Sequence, residues 1–324
     1  MRHYLLIACL LLGLLTSCEK SDIVAANATT DDGSTPLLYT LIQQNAAAAQ
    51  SFDLSPSTTP TRLTTVHGNI VTVRGSSFVR FDASNMSSSP IKLQVEEAND
   101  RADFLFTRLP TVTVEWEGSQ LLESAGMIRV RAYQDDKPLE LASGEVVQIT
   151  TRNSAKLSTS TGIQLFSSFL GPAEDFGWQS VPNDSISTIQ PNLTNTGFVV
   201  TVGSKAFNRG RWLSCSRLVP GSIIPVRVQA TSQNTSEGDF THVFMVYNNL
   251  NSLDYTPYMS DQGLATLPIL SGARVTAIVV RVTKDQTFYY GEQTATVTGP
   301  FTFTPKLSAL PAATIITRIR QAAQ

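Results

Sequence analysis

Four carboxylates, Glu96, Glu97, Asp100 and Asp103, fall within eight residues of one another. Oxygen ligands at this density suit Ca2+, which takes about six to eight of them at a flexible site. The competing reading is a solvated acidic loop, with Arg101 inside it to offset the charge. A glycosidase also needs two carboxylates, at a set separation across a substrate; these four are local neighbours on one strand end and loop. A second group lies in Asp254-Tyr255-Thr256-Pro257-Tyr258-Met259-Ser260-Asp261. There Tyr255 and Tyr258 can stack on a sugar or a protein while Asp254 and Asp261 accept hydrogen bonds. Alternatively the tyrosines pack on a sheet edge, and Trp116 and Trp178 pose the same choice. Beyond the leader the histidines are His67 and His242. Two are too few for a three-histidine zinc site, and no H-E-x-x-H, G-x-S-x-G, G-x-G-x-x-G or G-x-x-x-x-G-K-[ST] pattern occurs. The expectation is a non-enzyme with no catalytic residues and no cofactor.

The N-terminus carries chemistry of another kind. Arg2 and His3 precede an apolar run over 4–15, too short to span a bilayer, which needs about 20 residues. A charged start, a short apolar stretch and a small-residue exit form the plan of a secretory signal. The exit, Leu15-Thr16-Ser17-Cys18, resembles the lipobox of bacterial lipoproteins. That resemblance implies that 1–17 is removed and that Cys18 is acylated, palmitate being one of its chains, and becomes the first mature residue. Two or more acyl chains make an anchor effectively stable. By resemblance to lipoprotein sorting rules, Glu19 after the cysteine favours the outer membrane of a Gram-negative cell. The partner implied is thus a membrane, reached through the lipid on Cys18, with either the periplasmic or the surface face open.

The remainder reads as β structure. Apolar residues make up 42% of the chain and charged residues 15%, against a typical ~25% for the latter, with Ser and Thr filling the difference. The net charge of −2 is spread without a basic stripe, which argues against a nucleic-acid partner. Cys9 leaves with the signal and Cys18 takes lipid, so Cys215 has no disulfide partner and reads as a small buried hydrophobe.

From 18 to 61 the chain is poor in aromatics and rich in Ser, Thr, Ala, Asp and Pro, which predicts a flexible tether. A short helix over 37–50 is the exception, because Leu37, Leu38, Leu41 and Ile42 recur at helical spacing. From about 64 the period becomes two, at Ile70–Val73, Ile91/Leu93/Val95, Val112/Val114/Trp116, Ile128/Val130/Ala132 and Val147/Ile149, with 164–170 as a further strand. The stretch 181–196 reads as a linker. A second β series follows over 198–202, 211–215, 226–230, 242–247, 273–282, 287–290, 294–298 and 301–304, and 310–321 suits a short helix. The fold class predicted is all-β: two consecutive antiparallel β-sandwich domains, 62–180 and 197–306, followed by a tail or short helix over 307–324.

Several stretches resemble a family. Glu123-Ser124-Ala125-Gly126-Met127-Ile128, Ala132 and Lys137-Pro138-Leu139-Glu140-Leu141-Ala142-Ser143-Gly144-Glu145 are similar to a stretch that closes ZU5-like, carboxypeptidase-regulatory-like β-sandwiches in Bacteroidota lipoproteins and surface proteins. Gly75-Ser76-Ser77-Phe78, Val95-Glu96-Glu97, Leu109-Pro110-Thr111, Trp116-Glu117-Gly118 and Tyr289-Tyr290-Gly291 fit the same pattern. Arg211-Trp212-Leu213-Ser214-Cys215-Ser216-Arg217-Leu218 is similar to a further strand of these proteins, with Ser214 and Ser216 where the family has Asn and Asp. The likeness runs over about 66–298. It implies envelope β-sandwich modules and carries no catalytic residues. Asp184-Ser185-Ile186 is similar to the D-S/T-hydrophobic acceptor of Bacteroidota O-glycosylation, which marks Ser185. The function expected is a lipid-anchored structural or protein-interaction module with an unknown envelope protein as partner. The alternatives are a carbohydrate-binding lipoprotein of a glycan-uptake system and an adhesin or pilus-like subunit.

Overall fold

In a computed structural model, the described residues are 34–324 without 83, 115–118, 171–175, 182–185, 209, 231–239 and 257–263. The chain enters with helix α1 (Ser34–Gln43) and strands β1 (Gln50–Leu54), β2 (Thr61–Thr64), β3 (Ile70–Val73), β4 (Phe78–Arg80) and β5 (Ile91–Ala98). Helix α2 (Arg101–Thr107) precedes β6 (Leu122–Gln134), β7 (Lys137–Leu141), β8 (Val146–Thr150), β9 (Gln164–Leu170), β10 (Phe176–Ser180), β11 (Thr188–Pro191) and β12 (Phe198–Gly203). The one-turn helix α3 (Ser204–Phe207) leads to β13 (Trp212–Leu218), β14 (Ile223–Gln229), β15 (Phe240–Tyr247), β16 (Ser252–Thr256) and β17 (Leu264–Leu270). The chain continues through β18 (Arg274–Val282), β19 (Phe288–Thr296), β20 (Phe301–Phe303) and β21 (Ser308–Ala309) to helix α4 (Ala312–Ala322).

These strands form two sandwiches. Sheet I has the order β1-β5-β6-β13-β9-β10, with β7 and β4 added beside the far end of β6; sheet II has the order β11-β12-β8-β3-β2. Leu93, Val95, Val130 and Ala132 of sheet I meet Val71, Val147, Ile149 and Val200 of sheet II in one core. Sheet III (β17-β14-β20) and sheet IV (β16-β15-β18-β19-β21) enclose a second core around Val226, Met245, Leu267 and Val279. Among the described strands, all pairings are antiparallel except β14 with β20; an isolated bridge, Thr113 with Trp178, is also parallel. The fold is therefore all-β, with two successive β-sandwiches and a short C-terminal helix, as the alternation implies.

The division between the sandwiches differs from the expected one. Strand β11 lies inside the stretch read as a linker, 181–196, and β12 and β13, expected in the second domain, pair with β8 and β6. The first sandwich thus runs through Leu218. Pro and Asn in 181–196 mark an edge strand and its turn, a placement open to Pro because an edge leaves an N–H site unused. The expected tether, 18–61, is also corrected from residue 34 onward. Leu38 and Ile42 of α1 are fully buried, and β1 pairs along its whole length with β5. Its aliphatic spacing outweighs its polar composition. At the next turn Gly75 is obligatory, since a Cβ there would stand 2.0 Å from the carbonyl oxygen of Ser55.

A third core joins the two sandwiches. Helices α1, α2 and α4 place Leu38, Ile42, Phe104, Leu105, Ile315 and Ile319 between one face of sheet I and one face of sheet IV. This explains why Ala277-Ile278-Val279-Val280 reads as a solid apolar run. Ala277 and Val279 face the core with sheet III, whereas Ile278 and Val280 face the helices. Buried polar groups lock the same joint. The Arg101 guanidinium donates to the carbonyl oxygens of Ala323 (3.0 Å), Tyr247 (2.5 Å) and Gln324. Asn251 Nδ2 donates to Asn99 O (3.0 Å) and Ser124 O (2.8 Å), and Thr111 and Leu253 exchange bonds of 2.7 and 2.8 Å. Glu123, wholly buried on β6, takes Arg217 at 2.7 Å and the Ser158 hydroxyl at 2.6 Å.

Replacing Arg101 by Met removes the guanidinium bonds to the carbonyls of Tyr247, Ala323 and Gln324 and puts an apolar side chain beside them. Arg101→Met is expected to cost about 3 kcal/mol in urea unfolding, with the earliest loss of amide-exchange protection in α4. A variant within 0.5 kcal/mol of the parent (an order-of-magnitude surface effect) would show that Arg101 does not hold the joint.

Candidate functional site

The four clustered carboxylates are separated by their secondary structure. On β5, successive side chains point to opposite faces of the sheet. Glu96 faces outward and binds Arg129 at 2.5 and 2.7 Å and Arg131 at 3.0 Å. Glu97, 2% exposed, points inward and accepts from Gln50 Nε2 (2.8 Å), the Thr65 hydroxyl (2.6 Å) and Asn69 Nδ2 (2.6 Å). It ties β1 and the β2–β3 turn to β5. Asp100 is the N-cap of α2, accepting from Asp103 N at 3.0 Å, while Asp103 reaches back to Asn99 N at 2.9 Å. That exchange is the capping-box arrangement, with both anions at the positive end of the helix dipole. Burial raises the Asp103 pKa, partly offset by its bond from Asn99 N. The acidic loop expected here is thus a helix start, and the D-x-x-D spacing is its signal. Among the described residues no three His, Cys, Asp or Glu side chains converge as a metal site.

The Tyr/Asp group is likewise built into the fold. Its first half is strand β16, hydrogen-bonded to β15 in the register Phe244↔Tyr255 and Met245↔Asp254. Tyr255 lies 6.0 Å from the Phe244 ring and 6.3 Å from that of His242, and its hydroxyl donates to Arg108 O at 3.2 Å. The ring is therefore part of an aromatic cluster and is not presented as a free stacking platform. His242 is its centre, fully buried, with Phe240 at 4.9 Å, Tyr39 at 5.3 Å and Phe244 stacked at 5.6 Å. Arg108, left-handed at φ 56° where α2 stops, lays its guanidinium 4.1 Å from the Tyr39 ring centre. Burial, and secondarily Arg108, push the His242 pKa down to about 3, so the imidazole is neutral. Neither nitrogen has a hydrogen-bond partner among the described residues. The rings of Tyr39 and Phe240 stand in edge-to-face contact with the imidazole.

Asp254 faces the other way, with Met245 and Tyr247, toward the core between sheets III and IV. Burial raises its pKa to about 7, against a lowering bond from Tyr255 N at 2.8 Å. Cys215 packs in the first core with its thiol pushed up to about 12 by burial, which makes it inert at neutral pH. Trp178 is fully buried, its Nε1 donating to Pro110 O at 2.6 Å. His67 is exposed on the β2–β3 turn. Ser214 and Ser216, where the resembling family carries Asn and Asp, are buried and share a 2.6 Å hydroxyl contact, with Ser124 at 3.0 Å from Ser214. Cys18, Trp116, Ser185, Tyr258 and Asp261 lie outside the described residues. Among those residues, no helix is long and apolar enough to cross a membrane. Glu123, Asn251 and Arg101 were not expected as key polar residues. A lone charge inside the apolar alternation of Leu121-Leu122-Glu123 is the signal that marks Glu123.

No family model matches the chain, and no curated protein matches it. Among solved structures, it is similar to the Gamma-CGTASE from Alkalophilic bacillus clarkii, with 8% identity and a TM-score of 0.21 over 80% of this chain and 41% of that one. A non-hemolytic pneumolysin from Streptococcus pneumoniae strain ST306 gives 7% identity and a TM-score of 0.15, over 86% and 99%. The chain spans less than half the length of the first of these.

The raised Asp254 pKa has a definite sign. Folded-state affinity for the proton exceeds that of the unfolded chain, so this group's contribution is full below about pH 4 and is lost as pH rises to about 7. Asp254→Asn is expected to flatten that slope and to raise unfolding free energy at pH 8 by up to about 4 kcal/mol, with near-equality at pH 4. Urea unfolding at both values checks this, and a variant as pH-sensitive as the parent excludes it.

Proposed function

We propose that this chain is a non-enzymatic, lipid-anchored envelope protein, held in the outer membrane through Cys18, whose two joined sandwiches act as a structural and interaction module. The observation carrying this reading is the use made of the reactive side chains. The acidic cluster, the histidine of β15 and the cysteine of β13 are each engaged in packing or in structural hydrogen bonds, and the shared helical core leaves the surfaces of the sandwiches as the parts that meet other molecules. The lipobox resemblance at Leu15-Thr16-Ser17-Cys18 and the ZU5-like stretches support the envelope assignment. Ser34, where α1 begins, lies 16 positions after Cys18, a span of at most about 55 Å when fully extended.

Metabolic labelling with palmitate is the test of the anchor. The parent chain is expected to take up label and to sediment with outer membranes, while Cys18→Ala is unlabelled and soluble. Label retained by Cys18→Ala would exclude the anchor. Protease shaving of intact cells, with a periplasmic control protein, then assigns the face on which the module works.

A further inference from the structure

The outer face of sheet I is covered by the helices only at one end. Ala98, Met127 and Trp212 carry the covered part. Toward the β6–β7 turn none of the described helices packs on the face, and the strand register there sets out two rungs. One rung runs Asp53, Lys92, Tyr133 and Pro138 across β1, β5, β6 and β7. The other begins Ser51, Gln94 and Arg131, and beside it β7 and β4 set Glu140 against Val79. Neighbouring strands are ~4.8 Å apart, so four positions on a rung cover about 15 Å. The apolar side of this patch is unusually exposed: Val79 is 41% exposed, and Phe81, directly after β4, is 80% exposed. Its polar side is held in place. Glu96 fixes both Arg129 and Arg131, Arg129 lies 4.9 Å from the Trp212 ring centre, and Arg131 lies 6.0 Å from that of Tyr133.

We infer that this open half of sheet I is a binding surface for a neutral polysaccharide. This adds a ligand class to the interaction-module reading of the same protein, on which its biological meaning rests. Sugar rings have an apolar C–H face and a rim of hydroxyls that both donate and accept. The patch presents the matching pair: exposed Phe81 and Val79 with half-buried Tyr133, flanked by exposed Lys92 and Asp53 and half-buried Gln94, Arg131 and Glu140. Cations and anions interleave across it, so it sets up no net field that would favour an acidic or a basic polymer. A protein partner fits less well, because the cores of protein interfaces are depleted in charged residues and this face carries them along its middle. A sheet face four strands wide also offers a track suited to a chain that passes across and beyond it.

The test uses the full chain in mild detergent, run in native gels cast with dextran, amylopectin, arabinoxylan, galactomannan or β-glucan, and with polygalacturonate as the acidic comparison. Retardation by at least one neutral polymer is expected. Phe81→Ser and Tyr133→Ala are each expected to weaken binding about tenfold, the loss of one ring contact. Phe81 is too exposed for its replacement to unfold the protein, and unchanged thermal unfolding confirms this for both variants. Cys18→Ala is expected to bind as the parent does, so a failure here leaves the membrane anchor untouched. No retardation by any neutral polymer, retardation indifferent to both substitutions, or retention by polygalacturonate alone overturns the inference.

Discussion

Everything else in this molecule depends on one apolar layer, the helices α1, α2 and α4 held between sheets I and IV. Each sandwich hides its inner sheet faces by itself. Its outer face would ordinarily be polar, but here sheet IV presents Phe244, Val246, Ile278 and Val280 on that side, and sheet I presents Met127, Phe166 and Trp212. Neither sandwich can leave such a face in water, since each large aliphatic side chain buried is worth roughly 1.5–3 kcal/mol. The helices supply the complement with Leu38, Ile42, Phe104, Ile315 and Ile319. Once the layer forms, the polar groups within it have no access to water. Arg101, Glu123 and Asn251 then become obligatory, because an unpartnered buried carbonyl or carboxylate costs more than a formed bond returns.

The same constraint accounts for the fate of the reactive residues. His242 and Tyr255 lie on the outer face of sheet IV, under α1, and so became part of the layer. Asp100 and Asp103 were drawn into the start of α2, one of its walls. Polar chemistry at these positions serves the joint. The open half of sheet I escapes this demand because the helices do not reach it, and there the charged and aromatic side chains stay accessible.

Strand periodicity was legible wherever one face met solvent and the other a core, as in Ile91/Leu93/Val95 and Ile128/Val130/Ala132. The stretch 164–170 and the helix at the C-terminal end were legible too, from length and composition. What escaped were segments whose signals point two ways. The start of α2 reads as an acidic loop because Asp100 and Asp103 are both good cap residues and good solvated ones. Segment 34–54 reads as a tether carrying a short helix, because its three fully buried aliphatics, Leu38, Ile42 and Leu54, are outnumbered by polar neighbours. Strand β16 hides in a loop-like string because Asp254 stands at its middle and Pro257 follows it in the sequence. The division between sandwiches could not be found locally at all, since β12 and β13 look like β14 and β15, and only long-range pairing assigns them. The buried Glu123–Arg217 pair likewise spans distant elements, and nothing near either residue names its partner.

The joint also dictates how the chain comes to be folded. Arg101 bonds to residues 222 and 223 positions further along, and α1, near the start of the folded part, shares its core with α4 at the other end. Contacts of such separation close slowly, because loop entropy is lost before they return any energy. Until 312–323 are present, the layer around Leu38, Phe104 and Ile278 lacks Ile315, Ile316 and Ile319. During synthesis the first sandwich can pair its strands but cannot finish its outer surface, and for that interval the chain is a sticky, protease-sensitive object that depends on its surroundings for protection.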